Sequence, residues 1–515
     1  MKNIKIFRLS LWLCVVLFLS ACSKDALDKV NHNPNNPEDV PAKFLVTDLI
    51  TSTAFNIVGG EISLYATLYV EHETGVWNQQ YNAEIRLGEP TSSTTYNNVW
   101  GQIYNNIKAL KIVIAKTSQG GSEENNHVTN GIAKVLMAYN LGVLTDYWGD
   151  VPFSESGILK PDGSPAHLQP KIDKQSELYP MILAYLDDAI VQLDKSDASP
   201  IGNQDLIYGG KSSLWKKAAY GLKARYTMRT LFRSANKPGD LNSIITNVDK
   251  SFASAAEQMK FDVYDGGALT NPLGAFSNSR DGFGASKSLL TKFKALNDPR
   301  GVQSFMNYDF EQLTLEQALA GSAPNGSPVQ QQYVYDISIP EYSKTAPTLL
   351  LSYHELLFLK AEALVRLNRL NDAKPVLEDA VVAAFANLQR TLKATNNDWG
   401  IGATIDLSTG VAENYFKNDV SPMFATDALK AVMLQKYLAF FGASGESTEM
   451  YNDIRRLRAL GEGNLIKLEN PFNTDKFPLR YTYGNSDVLA NPVVAAAYGN
   501  GQYVYTDKVW WAGGN

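Results

Sequence analysis

Apolar residues recur at three- and four-residue spacing over long stretches of this chain. Between positions 96 and 116, Val99, Trp100, Ile103, Tyr104, Ile107, Leu110 and Ile114 fall on one stripe. That period predicts an amphipathic helix with one buried face. The same pattern predicts helices over 128–147, 176–193, 212–232, 351–369, 372–388 and 426–441. They come as neighbouring pairs. The clearest pair breaks at Asn368-Arg369-Leu370-Asn371, with Ala373, Leu377 and Ala380 on the inner face of its second helix.

Small residues at that spacing let two helices approach closely, and the pair resembles the second half of a tetratricopeptide repeat. About four such pairs along the chain predict a mainly α fold, a tetratricopeptide-like helical-repeat scaffold. Between the helices lie three long stretches, 261–286, 301–348 and 395–420, rich in Gly, Asn, Pro, Asp and Ser. Loops of that length inside a compact domain usually carry function. The expected architecture is therefore a rigid helical scaffold with long irregular binding loops laid over one side.

The first residues follow a different pattern. Lys2, Lys5 and Arg8 precede an apolar run over 9–19, too short to span a bilayer, which takes about 20 residues. Leu19-Ser20-Ala21-Cys22 closes the run. Small residues before such a cysteine resemble the bacterial lipoprotein signal, in which the cysteine is acylated and begins the mature chain. An ordinary cleaved signal with an incidental cysteine is the alternative. The lipoprotein reading makes 1–21 a signal peptide, 22–41 a lipid-anchored tether and 42–515 one domain. Asn31, Asn33, Pro34, Asn35, Asn36 and Pro37 suit an extended linker. Lys24, Asp25 and Asp28 put charge at its start, as either display on the outer face of an outer membrane or simple solvation would.

Cys14 leaves with the signal, so the mature chain keeps Cys22 alone. This excludes an intrachain disulfide, a cysteine nucleophile and a thiolate metal site. The net charge is −6, and Arg455-Arg456-Leu457-Arg458 forms the one short basic cluster. Nucleic acid is not an expected partner. Five histidines, His32, His72, His127, His167 and His354, never stand at metal-ligand spacing. Glu71-His72-Glu73 lacks the second histidine of a zinc-protease helix. No Gly-x-Ser-x-Gly elbow or phosphate loop occurs. Asp146 and Asp150 flank a turn where a glycosidase pair could sit, although a capping or solvated role explains them more simply. No catalytic residue, cofactor or metal is implied.

Several blocks, in order, carry a specific likeness. They are Asp146-Tyr147-Trp148-Gly149-Asp150-Val151-Pro152-Phe153-Ser154-Glu155, Asn297-Asp298-Pro299-Arg300, and Leu351-Ser352-Tyr353-His354-Glu355-Leu356-Leu357-Phe358-Leu359-Lys360-Ala361-Glu362-Ala363. Gln435-Lys436-Tyr437, Tyr451-Asn452-Asp453-Ile454-Arg455-Arg456, Phe477-Pro478-Leu479-Arg480-Tyr481 and the closing Val509-Trp510-Trp511 follow. Together with the anchor they resemble the SusD/RagB-type outer-membrane nutrient-binding lipoproteins. The resemblance implies a surface binder, not an enzyme, that captures oligosaccharides or sometimes peptides. It also implies a partner, the SusC-like TonB-dependent transporter barrel that such proteins cap. A lipid-anchored glycoside hydrolase is the reading from another class. The blocks themselves suit structural roles: Gly149 and Pro152 fit a turn, and Arg300 suits an ion pair or a helix cap.

A glycan binder needs aromatic faces for sugar C–H surfaces and amides or charged groups for hydroxyls. Aromatics in loops are the candidates, whereas Trp100 and Trp215 lie on helix faces and read as core. Trp77, Asn78 and Tyr81 stand in the best segment, two aromatics amid four amides over 77–82. Asn278, Arg280 and Phe283 come from a similar stretch, 276–283. Tyr333, Tyr335 and Trp399 are weaker candidates.

Overall fold

The structure is a computed structural model that describes residues 40–87, 91–92, 96–499 and 501–515. Cys22, the signal and all but the end of the proposed tether lie outside the described residues. The chain enters the fold at Val40, whose carbonyl accepts from Lys116 Nζ at 2.6 Å, while Ala42 N donates to Glu123 at 2.9 Å.

Helices stack in sequence order. Asn97–Thr117 packs on His127–Trp148, which packs on Gln175–Gln192, then Ser212–Arg229 and Lys237–Asp249. After a long interval the stack resumes with Tyr353–Arg366, Leu370–Trp399 and Ala428–Ala439. The expected helices are present with ends shifted by a few residues, except that the one expected over 372–388 runs on to Trp399. Further helices had no clear stripe of their own: Ala42–Ser52, Ile62–Tyr69, Lys237–Asp249 and Ser447–Ala459. The π-helical Thr53–Glu61 joins the first two of these.

His127–Trp148 sits at the centre, and every residue from Val128 to Trp148 is buried. Neighbours cover this helix on all sides, so its burial extends well beyond the single stripe that an amphipathic pattern marks. Gly142 admits one neighbour closely: a Cβ there would stand 2.2 Å from the Tyr226 hydroxyl. Gly149, with φ +80°, ends the helix in a conformation suited to glycine. Leu377, Ala373 and Ala380 are fully buried, as their stripe predicted, and so are Trp100 and Trp215.

Buried charges tie the layers together. Arg225 grips Glu355 through two bonds of 2.7 and 2.6 Å. Arg456 holds Glu362 at 2.7 and 2.8 Å and Asp453 at 2.9 Å, and Lys436 reaches Asp453 at 2.6 Å. Burial opposes the charge on Glu362, but Arg456 and Arg366 outweigh it and hold the carboxyl below its usual range. Arg300 pairs with Asp298, which also caps the short helix Pro299–Gln303. The family blocks are thus largely the wiring of the scaffold.

The long interval between Asp249 and Tyr353 is not a coil. Met259–Phe261 and Thr348–Leu351 pair antiparallel at its neck, directly beside the packed helices that flank it. Beyond the neck lie the helix Pro272–Arg280, the strand Phe283–Ala285 and the strand pair Phe305–Met306 with Ile337–Ser338. All three stretches expected to be irregular therefore contain helix: Asn271 caps a helix that begins at Pro272 in the first, Leu315–Ala320 lies in the second and Thr409–Tyr415 in the third.

Candidate functional site

Three segments far apart in sequence form one aromatic wall on the side of the scaffold. The first begins with the strand Glu73–Gly75, paired with Phe283–Ala285 so that Gly75 faces Phe283. Val76 N donates to Gly282 O at 2.9 Å and extends the pairing. The backbone then doubles back tightly: a Cβ on Gly75 would stand 2.1 Å from the Gln80 carbonyl oxygen. Trp77 follows in extended conformation at the N-cap of the helix Asn78–Glu84, with Asn78 at φ +51°.

Trp77 is 50% exposed, and Asn78, Gln79 and Asn82 beside it are exposed. Tyr81 is half-buried and its hydroxyl donates to Pro328 O at 2.7 Å. Glu84 braces the underside of this helix. Its carboxylate accepts from Gly326 N at 2.7 Å, Asn470 Nδ2 at 3.0 Å and Gly75 N at 3.3 Å. Burial nevertheless outweighs these donors and pushes the carboxyl up to about 7.

The second segment is the end of Pro272–Arg280 and the turn into strand Phe283–Ala285. Asn278, Ser279 and Arg280 are exposed, and the helix stops at Asp281 with φ +45°. Phe283 is buried and packs on Phe276 with ring centroids 5.1 Å apart. Its strand is buried at every position, so the ring supports the wall and offers no open face.

The third segment runs from Pro324 to Tyr342. Tyr333 is 61% exposed and meets Tyr308 edge-on at 5.3 Å. Its hydroxyl donates to Asp281 at 3.3 Å, and Tyr342 donates to the same carboxylate at 2.8 Å. Gln332 Nε2 donates to the Arg280 carbonyl at 2.9 Å. Tyr335 donates to Val329 O at 3.3 Å. These bonds join the three segments into one surface.

Trp77, Asn78, Tyr81, Asn278 and Arg280 therefore stand on neighbouring, hydrogen-bonded segments, with Phe283 buried between them. Tyr333 belongs with them more fully than its segment's composition alone suggested, and Tyr308 and Gln332 had not been singled out. The available signal was the run Gln330-Gln331-Gln332-Tyr333-Val334-Tyr335, which repeats the amide-and-aromatic character of 77–82. Trp399 differs. Its ring stacks on Phe310 at 5.1 Å, Lys344 Nζ stands 4.0 Å from its centroid, and its Nε1 donates to Tyr342 O.

The acids at the Asp146–Asp150 turn are committed elsewhere. Asp146 is buried, pairs with Arg229 at 3.2 Å and accepts from Tyr179. Asp150 holds Lys174 at 2.7 Å and Gln175 N at 2.8 Å. Ser352, His354 and Glu446 meet in the core, but the serine donates to the glutamate, at 2.6 Å, and caps Glu355 N. That is the wiring of a helix start, not of a nucleophile and its base. Among the described residues, no three His, Cys, Asp or Glu side chains gather as metal ligands.

Known proteins place this architecture. The family model described as "Starch-binding associating with outer membrane", a SusD-like model, matches residues 34–484. A SusD/RagB family protein from Bacteroides thetaiotaomicron is 48% identical, with a TM-score of 0.88, over 93% of this chain and 100% of that one. A chitin-binding protein at 22% identity shares the fold, with a TM-score of 0.68 over 92% of this chain and all of that one. So does a chitin-binding SusD homolog from Flavobacterium johnsoniae, 18% identical, with a TM-score of 0.66 over 92% and 98%. No curated protein matches the chain. The match over most of the sequence, together with the 48% identical structure, establishes that this chain belongs to the SusD-like family of nutrient-binding proteins.

Proposed function

We propose that this protein captures oligosaccharides at the wall carrying Trp77 and Tyr333 and delivers them to a TonB-dependent outer-membrane transporter. The observation that carries the reading is the pair of open aromatic rings, Trp77 and Tyr333, set among exposed amides and Arg280 on hydrogen-bonded segments. Sugar rings stack their apolar faces on such side chains, and amides and guanidinium donors serve the hydroxyls. The wall is held in place before any ligand arrives, which lowers the ordering cost of binding. The protein acts as a binder without catalysis: the acids and the Ser/His/Glu group that could suggest hydrolysis are engaged in packing. The chitin-binding relatives support a glycan as the ligand.

The reading includes a lipid anchor at Cys22 on the cell exterior, with residues 1–21 removed. No described helix is long and apolar enough to cross a membrane. Acyl chains on Cys22 would supply the attachment, more than one being needed for a stable anchor. Cys22→Ala should then release the protein from the outer-membrane fraction in cells lacking the transporter.

Calorimetric titration of the purified chain against a panel of oligosaccharides and peptides tests the ligand class. Saccharide binding that Trp77→Ala or Tyr333→Ala weakens is the expected result. Binding of peptides alone, or release of reducing sugar at enzymatic rates, would replace this reading by a peptide binder or a hydrolase.

A further inference from the structure

One amide side chain ties together the three segments of the wall. Asn325 opens the segment that leads to Tyr333, and its Oδ1 accepts from Ser288 N at 3.0 Å and Ser286 Oγ at 3.1 Å. Those serines begin the helix Lys287–Ala295, directly after the strand Phe283–Ala285. Asn325 Nδ2 donates to Thr74 Oγ1 at 2.9 Å, in the strand that runs on through Gly75 and Val76 to Trp77. Thr74 in turn donates to Ala323 O at 3.2 Å. Thr74, Ser286 and Ser288 are all buried, so these bonds are made away from solvent.

The backbone around Asn325 leaves it little freedom. Ala323 N donates to Ala285 O at 2.9 Å and Lys287 N donates to Ala323 O at 3.1 Å, which lays this stretch beside the strand. Gly326 N donates to Glu84 Oε1 at 2.7 Å, beneath the helix that follows Trp77. Gly326 has φ +67°, and a Cβ there would stand 2.5 Å from Asn470 Oδ1. The orientation of the amide is fixed as well. Ser288 N can only donate, so the oxygen of Asn325 must face it and the NH2 must face Thr74. Thr74 gives its own hydrogen to Ala323, which leaves its oxygen to accept.

We infer that Asn325 is a positioning residue that locks the Tyr333 segment to the Trp77 strand and so sets the two open rings in place before a glycan arrives. Its two ends act separately. The oxygen caps the helix Lys287–Ala295, and the NH2 makes the link across the wall through Thr74. Cutting the second end without the first loosens the wall and leaves the scaffold as it was. Binding then suffers because the rings must be ordered when the ligand arrives. That consequence rests on the wall being the ligand face, whereas the link itself can be read with no ligand present.

Thr74→Val removes the hydroxyl at nearly constant shape, Thr74→Ser keeps it, and Asn325→Ala removes both ends of the link. Hydrogen–deuterium exchange of the purified chain should show the amides of 73–84 and 321–336 exchanging about fivefold faster or more in Thr74→Val, as the loss of a buried partner predicts. Asn325→Ala should do the same and also loosen the start of Lys287–Ala295. Thr74→Ser should match the wild type, and His127–Trp148 should be unchanged in every variant. Titration with chitin oligosaccharides, with Trp77→Ala alongside, should show affinity falling about two- to tenfold in Thr74→Val and not in Thr74→Ser. Exchange that rises in only one of the two wall segments, or in neither, overturns the inference. So does an equal rise in His127–Trp148, or full affinity in Thr74→Val. Should Asn325→Ala fail to fold, the Thr74→Val and Thr74→Ser pair decides. If the wild type does not bind chitin, or Trp77→Ala binds it normally, the ligand-face reading falls and exchange alone decides the link.

Discussion

The helical scaffold and the aromatic wall treat polarity in opposite ways. In the scaffold, several buried arginines meet buried carboxylates through two or three bonds each, as Arg456 does with Glu362 and Asp453. In the wall the large aromatic faces of Trp77 and Tyr333 stay open to solvent. Among the described residues, buried Glu73 Oε1 and Glu341 Oε2 have no hydrogen-bond partner. A region that must only persist can pair its buried charges. A region that must receive a ligand leaves faces uncovered, because the ligand completes them.

The contrast is most easily broken from the scaffold side. Arg456→Met should cost about 3–5 kcal/mol, because Glu362 and Asp453 would lose a buried partner. Urea unfolding at neutral pH reads this loss, and a change under about 0.5 kcal/mol would mean that water reaches the ion cluster. Leu377→Ala empties a fully buried site and should cost about 2–5 kcal/mol in the same measurement.

Glu84 tests the junction between the two regions. Its folded-state pKa stands above the unfolded one, so the folded state holds its proton more tightly. The stability it contributes is complete below the ordinary carboxylate range near pH 4.5 and fades as pH rises through about 7. The shift amounts to about 3 kcal/mol across that window. Glu84→Gln should flatten this part of the stability profile, seen in thermal melts at stepped pH. An unchanged slope would show that the three donors keep Glu84 ionised.

Trp77→Ala should weaken glycan binding by about 1–3 kcal/mol, a five- to hundredfold rise in Kd. Stability should move by less than about 0.5 kcal/mol, as for other exposed positions. Trp100→Ala should do the reverse, since that ring is buried beside Trp148 and Tyr483. The smallest effect belongs to Tyr333→Phe. It removes one long bond to Asp281 and keeps the stacking face, so titration should show affinity within about twofold of wild type.

Much of the scaffold was legible in the sequence because one-sided helices leave a 3.6-residue stripe. Leu377 and its neighbours could be placed inside for that reason. Where a helix is covered on all sides, as His127–Trp148 is, burial runs past the stripe and takes in polar residues such as Asn130, Lys134 and Asn140, which periodicity alone would place outside. Lys237–Asp249 escaped notice because its apolar positions, Leu241, Ile244, Ile245 and Val248, are few. The wall was legible by composition alone. Aromatics among amides pointed to Trp77 and Tyr81, but pairing across 200 residues brings Gly75 to Phe283, and no local pattern encodes that. Phe283 shows the cost: its composition matched a binding segment, yet its strand is buried throughout.

The strand pair Met259–Phe261 with Thr348–Leu351 has a consequence for how such a protein can diversify. It brings the two ends of the long interval together beside helices that pack on each other across the gap. What lies beyond can lengthen or shorten at small entropic expense, about 0.6 kcal/mol for each doubling of a flexible loop. Half of the wall thus hangs from the stack like a cartridge on a fixed mount. Replacing that cartridge, while the mount and its ion pairs stay untouched, is a route by which one scaffold can come to serve many diets.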